Sequence, residues 1–96
     1  MLTAWYPYKE AKNIIKAMNT APKMPDYINK WQTFATADGK KGIKVYNVIM
    51  VKEGKSDEAA IYLTKTQTHF IDEVEGYTYK VEPVMGVKDS LKALSV

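Results

Sequence analysis

A chain of 96 residues has room for one compact domain, and a composition of 46% hydrophobic and 26% charged residues is that of a folded protein. It contains no Cys, and all fourteen basic residues are Lys, set against eleven acids. That excludes disulfides, thiolate nucleophiles, Cys-ligated metals and any guanidinium fork for phosphate or carboxylate.

The chain opens with Leu2 to Tyr6, a short aromatic-rich run closed by Pro7, which reads as a strand because proline cannot donate to a ladder. From Tyr8 to Asn19 the period becomes helical, with Ala11, Ile14, Ile15 and Met18 on one apolar stripe. Pro22 and Pro25 break this helix, and one further helical turn is expected over Asp26 to Lys30. Trp31 to Ala37 is rich in strand formers.

Asp38 to Gly42 follows as a loop with two glycines, and Ile43 to Lys52 is the strongest strand in the chain. Asp-Gly between two such runs is a hairpin signal. Glu53-Gly54-Lys55 turns the chain, with Ser56 as the expected N-cap of a second helix from Asp57 to about Glu73. The inner stripe of that helix is Ala60, Leu63, Gln67, Phe70, Ile71 and Val74. Gly76 stops it, and Tyr77 to Val84 alternates as a half-buried strand. Gly86 then leads into a short terminal helix, Val87 to Leu94.

The order is β-α-β-β-α-β with a helix appended, over a single domain spanning 1–96. An α+β, ferredoxin-like arrangement buries it best: a four-stranded antiparallel sheet with two helices on one face. That arrangement places the first and third strands centrally, and the third has apolar side chains on both faces: Ile43, Val45, Ile49 and Val51 on one, Tyr46, Val48 and Met50 on the other. Two helices cover only one face of such a sheet. The other would show Trp5, Tyr46, Val48, Met50 and Phe34 to water, and a patch of that kind on a small domain calls for a partner or a ligand. A second copy of the same sheet is the simplest symmetric cover, and at about 25 cal/mol per Å² a few hundred Å² is a large contribution for a domain this size.

The aromatic first strand Trp5-Tyr6-Pro7, the Asp38-Gly39 hairpin running into Gly42-Ile43, the ending Glu82-Pro83-Val84-Met85 and the helix after it resemble the dimeric α+β-barrel proteins. In that superfamily two ferredoxin-like chains pack sheet against sheet. The resemblance implies a homodimer through the sheet faces. It also implies one of several roles, from proteins without an assigned activity to cofactor-independent or haem-degrading monooxygenases, isomerases and stress-response proteins.

His69 is the only imidazole, three residues before Asp72 and four before Glu73, so a His–carboxylate pair is available on one helix face. It is the weak catalytic candidate. One His with two acids is too small a donor set for zinc, and no metal or other cofactor is expected. Asp72, Glu73 and Glu75 crowd the end of the second helix, where a solvated cluster is the simpler reading of their charge. Gln67 and Asn47 are amides at otherwise apolar positions, and a cavity between helix and sheet would explain both. With Trp5, Tyr46 and His69 they form the candidate ligand-binding set. Trp5, Tyr6, Trp31, Tyr46 and Met50 could equally line an apolar pocket at the dimer seam.

Lys41-Gly42-Ile43-Lys44-Val45-Tyr46-Asn47-Val48 sits where an RNA-recognition signature would fall, but Ile43, Val45 and Val48 occupy its ring positions. Nucleic acid is therefore not an expected partner. The longest apolar stretch, Val45 to Val51, is far short of the roughly twenty residues of a membrane span. No secretory leader is read at the start, so a cytoplasmic protein without a membrane partner is expected. The leading functional expectation is a homodimeric module that binds a small apolar or aromatic molecule in the sheet–helix cleft. An enzyme of the monooxygenase or isomerase type is the alternative.

Overall fold

Pro7 ends the first strand, β1 (Leu2–Tyr6), and one 3-10 turn over Tyr8–Glu10 carries the chain into helix α1 (Ala11–Thr20). The remaining elements are β2 (Ile28–Ala37), β3 (Ile43–Val51), α2 (Ser56–Glu73) and β4 (Thr78–Val81). The structure, a computed structural model, describes residues 1–83. The helix expected over Val87 to Leu94, and the Val84-Met85 part of the ending, lie outside the described residues.

The chain is α+β, with one antiparallel sheet in the order β2-β3-β1-β4, so β1 and β3 are central. The arrangement is consistent with the split β-α-β pattern read from the sequence. Register fixes the two faces. Leu2 lies opposite Asn47, Ala4 opposite Val45 and Tyr6 opposite Ile43, while Thr33 pairs with Asn47 and Trp31 with Ile49. These residues turn toward the helices, where Leu2, Ala4, Ala17, Leu63, Val74 and Tyr77 make the buried core. Trp5, Lys44, Tyr46, Val48, Met50 and Phe34 fall on the alternate positions, and so on the other face.

The β2–β3 hairpin is tied back onto β1. Asp38 N–H donates to the Gly42 carbonyl at 2.7 Å, and the Trp5 indole N–H donates to the Asp38 carboxylate at 3.1 Å. Gly42 has φ +96°, and a Cβ there would stand 2.2 Å from the Tyr6 carbonyl oxygen. Only glycine lets the hairpin end pass so close to β1.

Several local expectations change. The segment expected as a helical turn over Asp26 to Lys30 is instead a tight turn followed by the start of β2. Ile28 pairs with Val51 and is buried, and Lys52 N–H donates to the Tyr27 carbonyl at 2.8 Å. Pairing along the full length of β3 outweighs the local helical preference. A register shift between Ile28 and Lys30 absorbs the extra residue.

Helix α1 is rotated from its expected stripe. Ala17 is buried, whereas Ile15 is 59% exposed. The rotation follows from Glu10, whose carboxylate accepts from Glu75 N–H at 2.9 Å and from the Asn13 amide at 3.0 Å. That anchors the start of α1 to the segment after α2 and turns positions 10, 13, 14 and 17 inward.

Helix α2 starts at Ser56 itself and has no side-chain cap, so Ser56 is its first residue and not its N-cap. Its buried line is Ala59, Leu63, Thr66 and Gln67, continued by Val74 just past its end, leaving Ala60 and Ile71 exposed. Thr66 is accommodated inside by donating its hydroxyl to the Tyr62 carbonyl at 2.9 Å.

Candidate functional site

A cavity of about 200 Å³ lies between the helix-facing side of the sheet and the two helices. Its floor comes from β1, β2 and β3 through Leu2, Ala4, Trp31, Thr33, Val45 and Asn47; its roof comes from Ile14 and Met18 of α1 and Gln67 and Phe70 of α2. Tyr6 and Tyr77 close the sides. The Phe70 and Tyr77 rings stack with centroids 5.4 Å apart, which makes one flat aromatic wall.

Two buried amides give this apolar space its polarity. Asn47 Oδ1 accepts from the Trp31 indole N–H and from the Thr33 hydroxyl, both at 2.9 Å. Because an indole N–H can only donate, it fixes which end of the amide is the oxygen. Asn47 Nδ2 donates to the Leu2 carbonyl at 3.3 Å. Gln67, only 2% exposed, accepts the Tyr77 hydroxyl proton on Oε1. Burial, followed by the neighbouring Tyr79 and Tyr6, raises the Tyr77 phenol well above its ordinary range, so it stays a neutral donor at physiological pH. Among the described residues, no carboxylate, imidazole or ammonium lines the cavity. The lining offers shape and neutral hydrogen-bonding groups but no charge.

The five candidate ligand residues therefore separate into three places. Asn47 and Gln67 come together in the cavity wall. Trp5 and Tyr46 stand on the opposite face of the sheet, where the Lys44 ammonium lies 5.5 Å and 4.9 Å from their ring centroids. His69 is outside the cavity lining, between the two helices. Its Nε2 lies 3.1 Å from the Ala17 carbonyl and 3.0 Å from the Thr20 hydroxyl. A carbonyl only accepts, so Nε2 carries a proton. Thr20 in turn donates to the Lys16 carbonyl at 3.1 Å. The imidazole joins the C-terminal turn of α1 to α2. Among the described residues, no three His, Asp or Glu side chains gather in a way that could hold a metal ion.

The residues grouped as a pocket at the dimer seam divide as well, with Tyr6 and Trp31 in the cavity and Trp5, Tyr46 and Met50 across the sheet. Thr33 and Tyr77, which with Trp31 bond the two amides, are absent from the candidate ligand set. A signal existed for both: each shares strand parity with an inward-facing residue. No helix among the described residues is long and apolar enough to cross a membrane. The chain matches no protein-family model, no curated protein and no solved structure.

Proposed function

We propose that the chain is a ferredoxin-like protein of the dimeric α+β-barrel type, cytoplasmic, which binds a small apolar or aromatic molecule in the cleft between sheet and helices. The observation that carries this reading is the cavity. Protein interiors close to crystal-like density. A cleft of about 200 Å³ with a mostly apolar lining holds water poorly, and a molecule that fills it gains apolar burial and packing contacts.

Size narrows the occupant. A cavity of roughly 150 Å³ lined by aliphatic and aromatic groups takes up benzene, so 200 Å³ suits one ring with a small substituent. The dimer belongs to the same proposal. Phe34 and Met50 are 56% and 52% exposed on the sheet face opposite α1 and α2, beside Trp5, Tyr46 and Val48. A second copy set face to face would cover both patches at once.

Isothermal titration with ethylbenzene tests the binding site. The wild-type chain is expected to bind one molecule per chain, and Val45→Phe, which fills the cavity from β3, is expected to abolish the binding while the fold persists by circular dichroism. Binding that survives Val45→Phe unchanged, or no binding by the wild type, would refute the cleft as the site.

A further inference from the structure

We infer that the cleft opens to water between α1 and β2, past Met18 and Thr33, and that its occupant is a single ring bearing an unbranched apolar chain that leaves through this mouth. This deepens the proposed cleft site, on which it rests.

A residue that lines a cavity and is also well exposed stands where the cavity meets the surface. Among the described residues, Met18 and Thr33 are the only lining residues of that kind. Met18, 63% exposed, comes from the second half of α1, and Thr33 from the middle of β2. The far end of the cavity is the reverse: Leu2, Asn47, Gln67 and Tyr77 are all buried. The cavity is therefore a pouch, closed toward β1 and open toward β2, which is an edge strand of the sheet.

The surface outside the mouth is apolar and uncovered. Side chains alternate along a strand, so Ala35 and Ala37 share the helix-facing side of β2 with Thr33. Their partners across the ladder are Val45, which lines the cavity, and Ile43. Both alanines are exposed, so the described helices leave this edge of the sheet open. On α1, Ala11 and Ile14 share a face with Met18 at i, i+3 and i+7. Ile14 lines the cavity, whereas Ala11 is exposed. Small side chains on both elements leave an apolar strip that continues from the mouth. A ring alone fills the pouch and leaves this strip wet; a chain joined to the ring covers both. Since the strip lies on the helix side of the sheet, pairing through Phe34 and Met50 on the other face leaves the mouth open.

The test uses 2-phenylethanol, 4-phenyl-1-butanol and 6-phenyl-1-hexanol, titrated calorimetrically into the full chain beside ethylbenzene. In the shortest alcohol the hydroxyl is drawn into the pouch; in the longest it reaches water and avoids desolvation. Full burial of a methylene is worth about fourfold in affinity, and a strip covered on one side gives half that free energy, about twofold. Affinity is therefore expected to rise about sixteenfold over the four methylenes that separate the shortest alcohol from the longest.

The chain has no Cys, so a single introduced thiol can be blocked selectively. Ala35→Cys is expected to keep the rise with chain length. N-ethylmaleimide on that thiol is expected to remove the rise while ethylbenzene still binds. Thr64→Cys, exposed on α2 and outside the cavity lining, is expected to keep the rise after the same treatment.

If ethylbenzene binds but the longest alcohol binds no tighter than the shortest, the mouth and the chain are overturned while the cleft site stands. A rise that survives the blocked Ala35→Cys thiol also overturns them, because the chain would then leave elsewhere. If neither ethylbenzene nor any of the alcohols binds, the cleft site fails and the inference falls with it.

Discussion

The indole of Trp31 on β2 donates to the amide oxygen of Asn47 on β3 at 2.9 Å, two residues out of register, and the same oxygen takes the hydroxyl of Thr33. One buried amide thus joins β2 to β3, and through the Leu2 carbonyl it also reaches β1.

Replacing Asn47 tests that junction. Asn47→Leu keeps the volume but strands the half-buried Trp31 N–H, a loss of partner that costs about 1–3 kcal/mol, while the hydroxyl of the exposed Thr33 turns to water. A fall of about 1–3 kcal/mol in unfolding free energy is expected from urea titration. A loss below about 0.5 kcal/mol would mean that the Trp31 N–H reaches water instead.

Gly42 and Gly39 form an internal control within one hairpin. Both have positive φ, +96° and +54°, but a Cβ at Gly42 meets the Tyr6 carbonyl while one at Gly39 meets nothing within 4 Å. Gly39→Ala is expected to cost about 1 kcal/mol, the backbone penalty alone. Gly42→Ala must also displace β1 and is expected to cost several times that figure. Similar thermal midpoints for the two variants would contradict the close approach.

Tyr77 predicts a pH dependence with a definite sign. A tyrosine phenol ordinarily loses its proton near pH 10, and burial, ahead of Tyr79 and Tyr6, raises Tyr77 well above that. Above pH 10 the unfolded chain releases this proton while the folded chain retains it. The Tyr77 contribution to stability is therefore full below about pH 10 and is lost as pH rises through the folded value, at about 1.4 kcal/mol per pH unit. Comparing urea midpoints at pH 8 and pH 11 checks this: the drop should be larger in the wild type than in Tyr77→Phe. Equal drops would show that Tyr77 ionises freely in the folded state.

How much was legible follows from strand parity and helix phase. Both faces of β3 could be read directly, because Ile43 to Val51 is apolar on each side, and the Asp38-Gly39 signal marked the hairpin correctly. Asn47 and Gln67 were legible as amides at apolar positions. Parity already implied that Trp5 and Tyr46, one step from Ala4 and Asn47, face the other way from the cavity. Helix phase was harder. Met18, 63% exposed yet on the cavity edge, and Ile71 and Ile15 all fit an apolar stripe, but hydrophobic period alone does not say which side of a wide stripe meets the sheet. That was decided by Glu10 reaching Glu75 N–H, a contact between residues sixty-five apart in the chain. The Gln67–Tyr77 pair was hidden for a similar reason: a turn separates the two residues, and only the closing of β4 onto β1 brings them together.

The dimer is tested by mass in solution. Multi-angle light scattering at micromolar concentration is expected to give about 22 kDa, twice the 10.9 kDa chain. Phe34→Lys, which puts a charge on the exposed face, is expected to return the chain to its monomer mass without unfolding it. A wild-type mass near that of one chain would remove the face-to-face pairing.

The two tryptophans offer the most direct reading of the ligand site, because Trp31 lines the cavity and Trp5 stands across the sheet from it. In a ¹⁵N-labelled chain each gives one indole N–H resonance, assigned with Trp5→Phe. Titration with acetophenone should shift the Trp31 indole and the Gln67 side-chain amide in a saturable way and leave the Trp5 indole in place. Saturable shifts at Trp5 without any at Trp31, or none at either, would contradict a ligand between sheet and helices.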